Sequence, residues 1–210
     1  MGKCVIFCAG EFDGLLEPIR PEDTVIAADA GIRHLAALGI KADIILGDFD
    51  SLGYVPQGAA VFPVEKDDTD AMLAIRRGLQ MGHRRFVIYG GLDGPRLDHT
   101  IANLQALQFL ADRGAVGYLV GLTQVATMVV SRISFPASAA GILSLFCMGC
   151  PATGVSLTGL QYPLADARLD SGFPLGVSNH FTGAPAHIQV KSGTLLAIYD
   201  RNNGFPVREE

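Results

Sequence analysis

Concentrated positive charge is what this sequence most lacks. Its 16 lysines and arginines are dispersed, and the longest runs are the pairs Arg76/Arg77 and Arg84/Arg85. With a formal net charge of -5, the chain has no patch of the kind that tracks a nucleic-acid backbone, so nucleic acid is not an expected partner. Long hydrophobic runs are missing too. Mean hydropathy is high at +0.32, yet no stretch approaches the ~20 apolar residues that span a bilayer. The opening MGKCVIFCAGEFDG holds only a short apolar run, less than the ~7 to 15 residues of a signal-peptide core. The expectation is a cytoplasmic protein without a membrane partner. Cysteine is sparse, and the pairs Cys4/Cys8 and Cys147/Cys150 do not suit zinc. In a strand, Cys4 and Cys8 would lie roughly 13 Å apart, too far to share one tetrahedral ion. Small buried thiols are the simpler reading. The first apolar run is followed by AGEFDG rather than G-x-G-x-x-G, so the fingerprint of a nicotinamide dinucleotide site is absent.

What is present begins with apolar residues, 49% of a 210-residue chain, enough for a sizeable core. Residues 4–9, 24–28, 43–46, 60–64 and 86–89 form short apolar runs, the mark of strands buried on both faces. Helical periods lie between them, over 31–38, 70–81 (Met72, Ile75, Leu79) and 99–111 (Leu104, Leu107, Ala111). Strand and helix alternating in this way predict an α/β domain: a mostly parallel, Rossmann-like sheet with flanking helices. Beyond Gly114 no helical period persists, and β-like runs alternate with Gly, Pro, Ser and Asn turns. That grammar predicts a smaller all-β sandwich or barrel. The expected domains are 1–125 and 126–210, with a frayed tail.

Acidity is local. Between residues 29 and 70 there are eight acids and three bases, an excess equal to the net charge of the whole chain. Carboxylates gathered at strand ends must be protonated, solvated or neutralised by a cation, and a cation is the expectation. In GDFDS, an extended chain would point Asp48 and Asp50 to the same side, roughly 6 to 7 Å apart, within reach of one hard cation; D-x-D also occurs in plain turns, where Asp caps backbone amides. In KDDTD, Asp68 or Thr69 suits a helix N-cap and Asp70 the first turn. Capping accounts for one or two of those acids and not for three beside GDFDS. Lys66 is either a counter-ion or a phosphate ligand. GGLDGPRLDHTIANL couples a glycine-rich turn to a helix, an arrangement that favours anions. There Asp98 can be an N-cap, and Arg96 suits phosphate oxygens. GVSNHF lies in the β-rich half, where Ser178 and Asn179 are also common turn formers.

ADAG (residues 28–31), GDFDS, KDDTD, RLDHTIANL and GVSN, followed by VKSGTLLAIYD, stand in the order and approximate spacing of the thiamine pyrophosphokinases, which the chain resembles over nearly its whole length. The resemblance implies a homodimeric, magnesium-dependent enzyme with its active site near the subunit interface. Such an enzyme moves the pyrophosphoryl group of ATP onto the hydroxyethyl oxygen of thiamine, giving thiamine diphosphate and AMP. On matching positions it makes Asp29, Asp48, Asp50 and Asp70 the metal-binding and catalytic carboxylates. Lys66, Asp68, Thr69, Arg96, Asp98 and Asn103 fall on the ATP side, Ser178 and Asn179 on the thiamine side. Phosphoryl chemistry of this type needs positioning and charge neutralisation more than covalent help. The sequence departs from the family at Asp93 and Gly94-Pro95, an added carboxylate and a lost amide donor beside the glycine turn, and at His180, where an acid is frequent. Tryptophan is absent, which leaves ring stacking to Tyr162, Phe181 or His180. Two other readings compete: a magnesium-dependent phosphohydrolase acting on a small phosphorylated metabolite, and a non-catalytic nucleotide- or sugar-binding protein.

Overall fold

The structure is a computed structural model and describes residues 2–63 and 67–209. The chain divides into two units, Met1–Leu122 and Thr123–Glu210.

In the first unit the strands β1 (Cys4–Phe7), β2 (Thr24–Ala28), β3 (Ile44–Gly47), β4 (Ala60–Val61), β5 (Arg85–Tyr89) and β6 (Val116–Val120) lie in the order β4-β3-β2-β1-β5-β6. Every pairing is parallel. All four residues of β1 are buried, as are four of the five in β5. A strand covered on both faces cannot alternate with polar residues, which is why these segments read as unbroken apolar runs. Helices α1 (Ile32–Leu38), α2 (Asp70–Gln80) and α3 (Leu97–Ala111) connect them. The deepest residues of α2 are Ala74, Ile75 and Gly78, with Met72 and Leu79 half-buried. In α3 the buried face is Asn103, Ala106, Leu107 and Leu110, turned slightly from the predicted Leu104, Leu107 and Ala111. A buried asparagine was invisible to an apolar count. No described helix is long and apolar enough to cross a membrane.

From β1 the chain builds outward through β2, β3 and β4, then returns to the other side of β1 with β5 and β6. The direction of winding therefore reverses between β1 and β5. Loops leaving the carboxyl ends of two such strands diverge and open a crevice.

The second unit is all β. Strands β7 (Gln124–Val129), β9 (Ile142–Cys147), β12 (Gly176–His180) and β14 (Leu195–Asp200) pair antiparallel in the order β12-β9-β14-β7. A five-stranded antiparallel sheet is formed by β8 (Arg132–Phe135), β10 (Ala152–Thr158), β11 (Leu164–Leu169), β13 (Ala186–Gln189) and β15 (Val207–Glu209), in the order β11-β10-β13-β8-β15. Phe135 of the second sheet packs edge-on against Tyr199 of the first at 4.9 Å between ring centroids. The two sheets thus share an aromatic core.

The tail corrects the expectation of fraying. β15 pairs with β8, Arg208 donates to Thr127 Oγ1 and the Met128 carbonyl, and Arg132 forms an ion pair with Glu209. A three-residue strand with one apolar side chain, Val207, gave no apolar signal; the pairing rests on partners more than 70 residues away.

Candidate active site

Register decides which carboxylates meet. β2 and β3 run parallel with Ala28 beside Leu46, so the next residues, Asp29 and Gly47, stand side by side where the two strands end. A side chain at position 47 would begin 3.0 Å from the Asp29 Cα, and the glycine removes that conflict. Past the two strand ends the backbone does not stay extended: Asp29, after β2, adopts φ 49°, and Phe49, after β3, adopts φ 60°. Left-handed conformation is tolerated by Asp but costs a bulky residue roughly 1–2 kcal/mol. Burial offsets it. Phe49 is 3% exposed and packs with Ala30, Leu52, Ile32, Ile45 and Ala59, anchoring the turn from beneath.

With Phe49 pointing inward, Asp48 and Asp50 flank it. One carboxylate oxygen from each of Asp29, Asp48 and Asp50 lies within 4.8 Å of the other two. Ser51 Oγ donates to Asp29 Oδ2, and the Asp50 amide donates to Asp48 Oδ1 at 3.4 Å. The other oxygen of Asp29 is buried and accepts no hydrogen bond. A buried carboxylate oxygen without a donor is costly, and three like charges at this spacing repel. A hard divalent cation relieves both, since all-oxygen carboxylate donors are the set that magnesium takes. The residues present therefore fit magnesium. Ser51 and Phe49 were not singled out from the sequence. Ser51 stood in view within GDFDS, but nothing in one dimension marked it as the partner of Asp29.

Asp70 does not join the three within that distance. It opens α2, near the end of β1, where its charge adds to the effect of burial in pushing the Cys8 thiol up to about 12. Thr69 is the N-cap of α2, its Oγ1 accepting from the Met72 amide at 3.2 Å. Asp68 forms an ion pair with Arg76 at 3.1 Å. Lys66 lies outside the described residues.

Across the crevice, the glycine-rich turn after β5 is laced to its surroundings. Gly10 N donates to the Gly90 carbonyl, Asn103 Nδ2 to that of Gly91 at 2.8 Å, and Thr100 Oγ1 to that of Leu92 at 3.1 Å. Asn103 is thus behind the turn and supports it. Arg96 occupies the N-cap position of α3 without a capping bond; Asp98, considered for that role, sits inside the first turn. Arg96 instead grips Asp98 with two hydrogen bonds of 3.2 and 2.6 Å. The guanidinium holds the exposed Asp98 carboxyl below its usual range, and the carboxylate raises Arg96 in return.

In the second unit, Ser178 is exposed with φ 58°, at an irregularity where β12 slips register on β9. Asn179 points inward. Its Oδ1 accepts from the Tyr162 and His180 amides and its Nδ2 donates to the Tyr162 carbonyl, all at 2.8–2.9 Å. A cavity of about 120 Å³ in this unit is lined by Leu145, Cys147, Leu169, Asp170 and Phe173, among others, and includes none of the predicted residues.

Comparison with known proteins now decides the family. Residues 17–116 match the thiamin pyrophosphokinase catalytic domain, and residues 131–195 match the thiamin pyrophosphokinase vitamin B1 binding domain. The chain belongs to the thiamin pyrophosphokinase family. The catalytic match contains the three converging aspartates and the Arg96–Asp98 pair; the vitamin B1 binding match contains Ser178 and Asn179. Members of the family are enzymes, and this one is a thiamine diphosphokinase, transferring a pyrophosphoryl group from ATP to thiamine. The fold agrees. Thiamine pyrophosphokinase from Bacillus subtilis superposes with a TM-score of 0.81 at 23% identity, covering 94% of this chain and 99% of the other. That from Geobacillus thermodenitrificans gives 0.75 at 24% identity, covering 95% and 97%. The Candida albicans protein gives 0.75 at only 12% identity, covering 95% and 88%. A search of curated proteins found no match.

Proposed function

We propose that Asp29, Asp48 and Asp50 seat magnesium for the transfer that gives thiamine diphosphate and AMP, in a Rossmann-like first domain that carries ATP, while the second domain carries thiamine. The observation that supports it most is the convergence of three carboxylates from two neighbouring strand ends, one oxygen of Asp29 buried without a donor. Magnesium, when bound, would neutralise polyphosphate oxygens.

The remaining work belongs to the side chains. Ser51 orients Asp29, and the Phe49 anchor keeps Asp48 and Asp50 facing the same point. The glycine turn, held by Asn103 and Thr100, offers its backbone to the phosphates, with Arg96 and Lys66 as the cationic contacts. Arg96 exchanges its grip on Asp98 for a phosphate. The thiamine hydroxyl oxygen attacks the β-phosphorus of ATP, the bond from that phosphorus to the α–β bridging oxygen breaks, and AMP leaves. A carboxylate, Asp29 or Asp70, takes the hydroxyl proton. Ser178 lies on the thiamine side. Thiamine is a cation, and an acidic site favours its approach. We place the enzyme in the cytoplasm as a homodimer with the active site near the subunit interface.

The test supplies ATP, thiamine and magnesium and identifies the products. Thiamine diphosphate and AMP in equal amounts are expected, with loss of turnover in Asp48→Asn and Asp50→Asn. ADP or free phosphate as the product would refute it in favour of the phosphohydrolase reading. Unchanged nucleotide affinity in both variants would refute the metal seat.

A further inference from the structure

Asp93 is one of the departures from the family, an added carboxylate beside a turn read as receiving phosphate, where it would be expected to repel the ligand. Its position is different. Asp93 Oδ2 accepts from the Leu122 amide at 2.6 Å, in the loop that follows β6. Its carbonyl accepts from the Glu11 amide at 3.1 Å, in the loop that follows β1. One residue therefore ties together the loops leaving three adjacent strands, β1, β5 and β6. Position 121 is matched to it: a Cβ on Gly121 would stand 2.1 Å from Asp93 Oδ2 and 3.0 Å from Leu92 Cδ2. The carboxylate fills the space that a side chain at 121 would need.

We infer that Asp93 is a positioning residue for the nucleotide-binding turn, latching residues 90–94 to Gly121–Leu122 so that the turn is preformed for the polyphosphate of ATP. This rests on the reading of that turn as the nucleotide site. Asn103 and Thr100 hold the turn from the helix behind it, and Asp93 holds it from the side, so successive carbonyls at 91 and 92 and the side chain at 93 are each fixed. A turn fixed before binding does not spend ligand affinity on being ordered. The carboxylate's charge is directed into a backbone N–H, the charge-assisted type of bond that is short and strong.

The experiment measures the affinity of a non-hydrolysable ATP analogue by calorimetry, with KM for ATP and for thiamine and kcat alongside, in Asp93→Ala, Asp93→Asn, Gly121→Ala and the double variant Asp93→Ala/Gly121→Ala. Asp93→Ala is expected to weaken analogue binding and raise KM for ATP about tenfold, the scale of one hydrogen bond to a charged group, with kcat and the thiamine KM within about threefold of wild type. Asp93→Asn keeps an acceptor and restores most of the loss. Gly121→Ala displaces the carboxylate and copies Asp93→Ala, while the double variant, free of the clash, is no worse than either single change. Hydrogen exchange of the Leu122 amide should quicken in Asp93→Ala. Faster exchange with unchanged analogue affinity would overturn the inference, as would an Asp93→Asn as impaired as Asp93→Ala. Failure of the wild type to make thiamine diphosphate would instead sink the assignment of the reaction, which analogue binding reads separately.

Discussion

Asparagine at position 50 should stabilise this protein when metal is withheld and destabilise it, relative to wild type, when magnesium is present. The perturbation is nearly isosteric and removes one of three carboxylates whose oxygens lie within 4.8 Å of one another. The bond from the Asp50 amide to Asp48 is made by backbone and survives. Two unit charges at that separation repel by about 1 kcal/mol in a water-like medium and about 3 kcal/mol at the effective dielectric of a protein surface. Asp50 is the exposed member of the three, so the lower figure applies, about 1–2 kcal/mol in total. At ~2–4 °C per kcal/mol for a chain of this size, melting in EDTA should rise by about 2–8 °C. Magnesium at a hundredfold its dissociation constant stabilises the wild type by about 2.7 kcal/mol, more than the repulsion removed, and the variant by much less. The order of the two melting temperatures therefore inverts between EDTA and magnesium. A variant less stable than wild type in both buffers would refute the reasoning: the aspartates would then be turn-capping groups with no need of a cation.

Other perturbations separate structural roles from chemical ones. Asn179→Ala strips partners from the Tyr162 amide and carbonyl and the His180 amide, and should cost about 2–3 kcal/mol in a denaturant titration; unchanged stability would show that the side chain serves ligand rather than fold. Burial pushes the Cys4 and Cys8 thiols up to about 12, with Asp70 adding to the shift at Cys8. A thiol reagent at neutral pH should therefore label only Cys150 and, more slowly, Cys147, whose Sγ donates to the Leu169 carbonyl; all four should react in denaturant. For Asp23 and Glu17, burial raises the carboxyl, but hydrogen bonds and charge from Lys3, with Arg85 for Glu17 and the Arg20 amide for Asp23, outweigh it and hold both below their ordinary values. Depressed folded values mean stability that is present above the unfolded carboxyl range near 4 and lost as pH falls through the folded values. Wild type should exceed Asp23→Asn in melting temperature at pH 7, by a margin that shrinks below about pH 4; a margin independent of pH would contradict the buried ion pair Lys3–Asp23.

Much of the first unit could be read before any coordinates. Runs such as CVIF and FVIY are apolar because both faces of a parallel strand are covered, and that is a property of the sequence. The second unit was legible as β, but its short or polar strands were not. β11, LADARL, buries only one of its six residues, and β15 is three residues held by distant partners. The D-x-D spacing suggested two carboxylates on one side of an extended chain; they do converge, but through a left-handed kink at a buried phenylalanine, which period-two counting does not contain.

Local composition determined the layered α/β and all-β grammar and concentrated acid between residues 29 and 70. It left open which acids share a site. Sheet register decided which three meet most closely: Ala28 beside Leu46 brings Asp29 to Asp48 and Asp50 across some twenty residues of chain, while Asp70, equally acidic, starts a helix and lies outside the group whose oxygens meet within 4.8 Å. The reason is physical. Charge and hydrophobicity belong to residues one at a time, whereas a site is a set of distances, and distances between remote residues exist only once strands have paired.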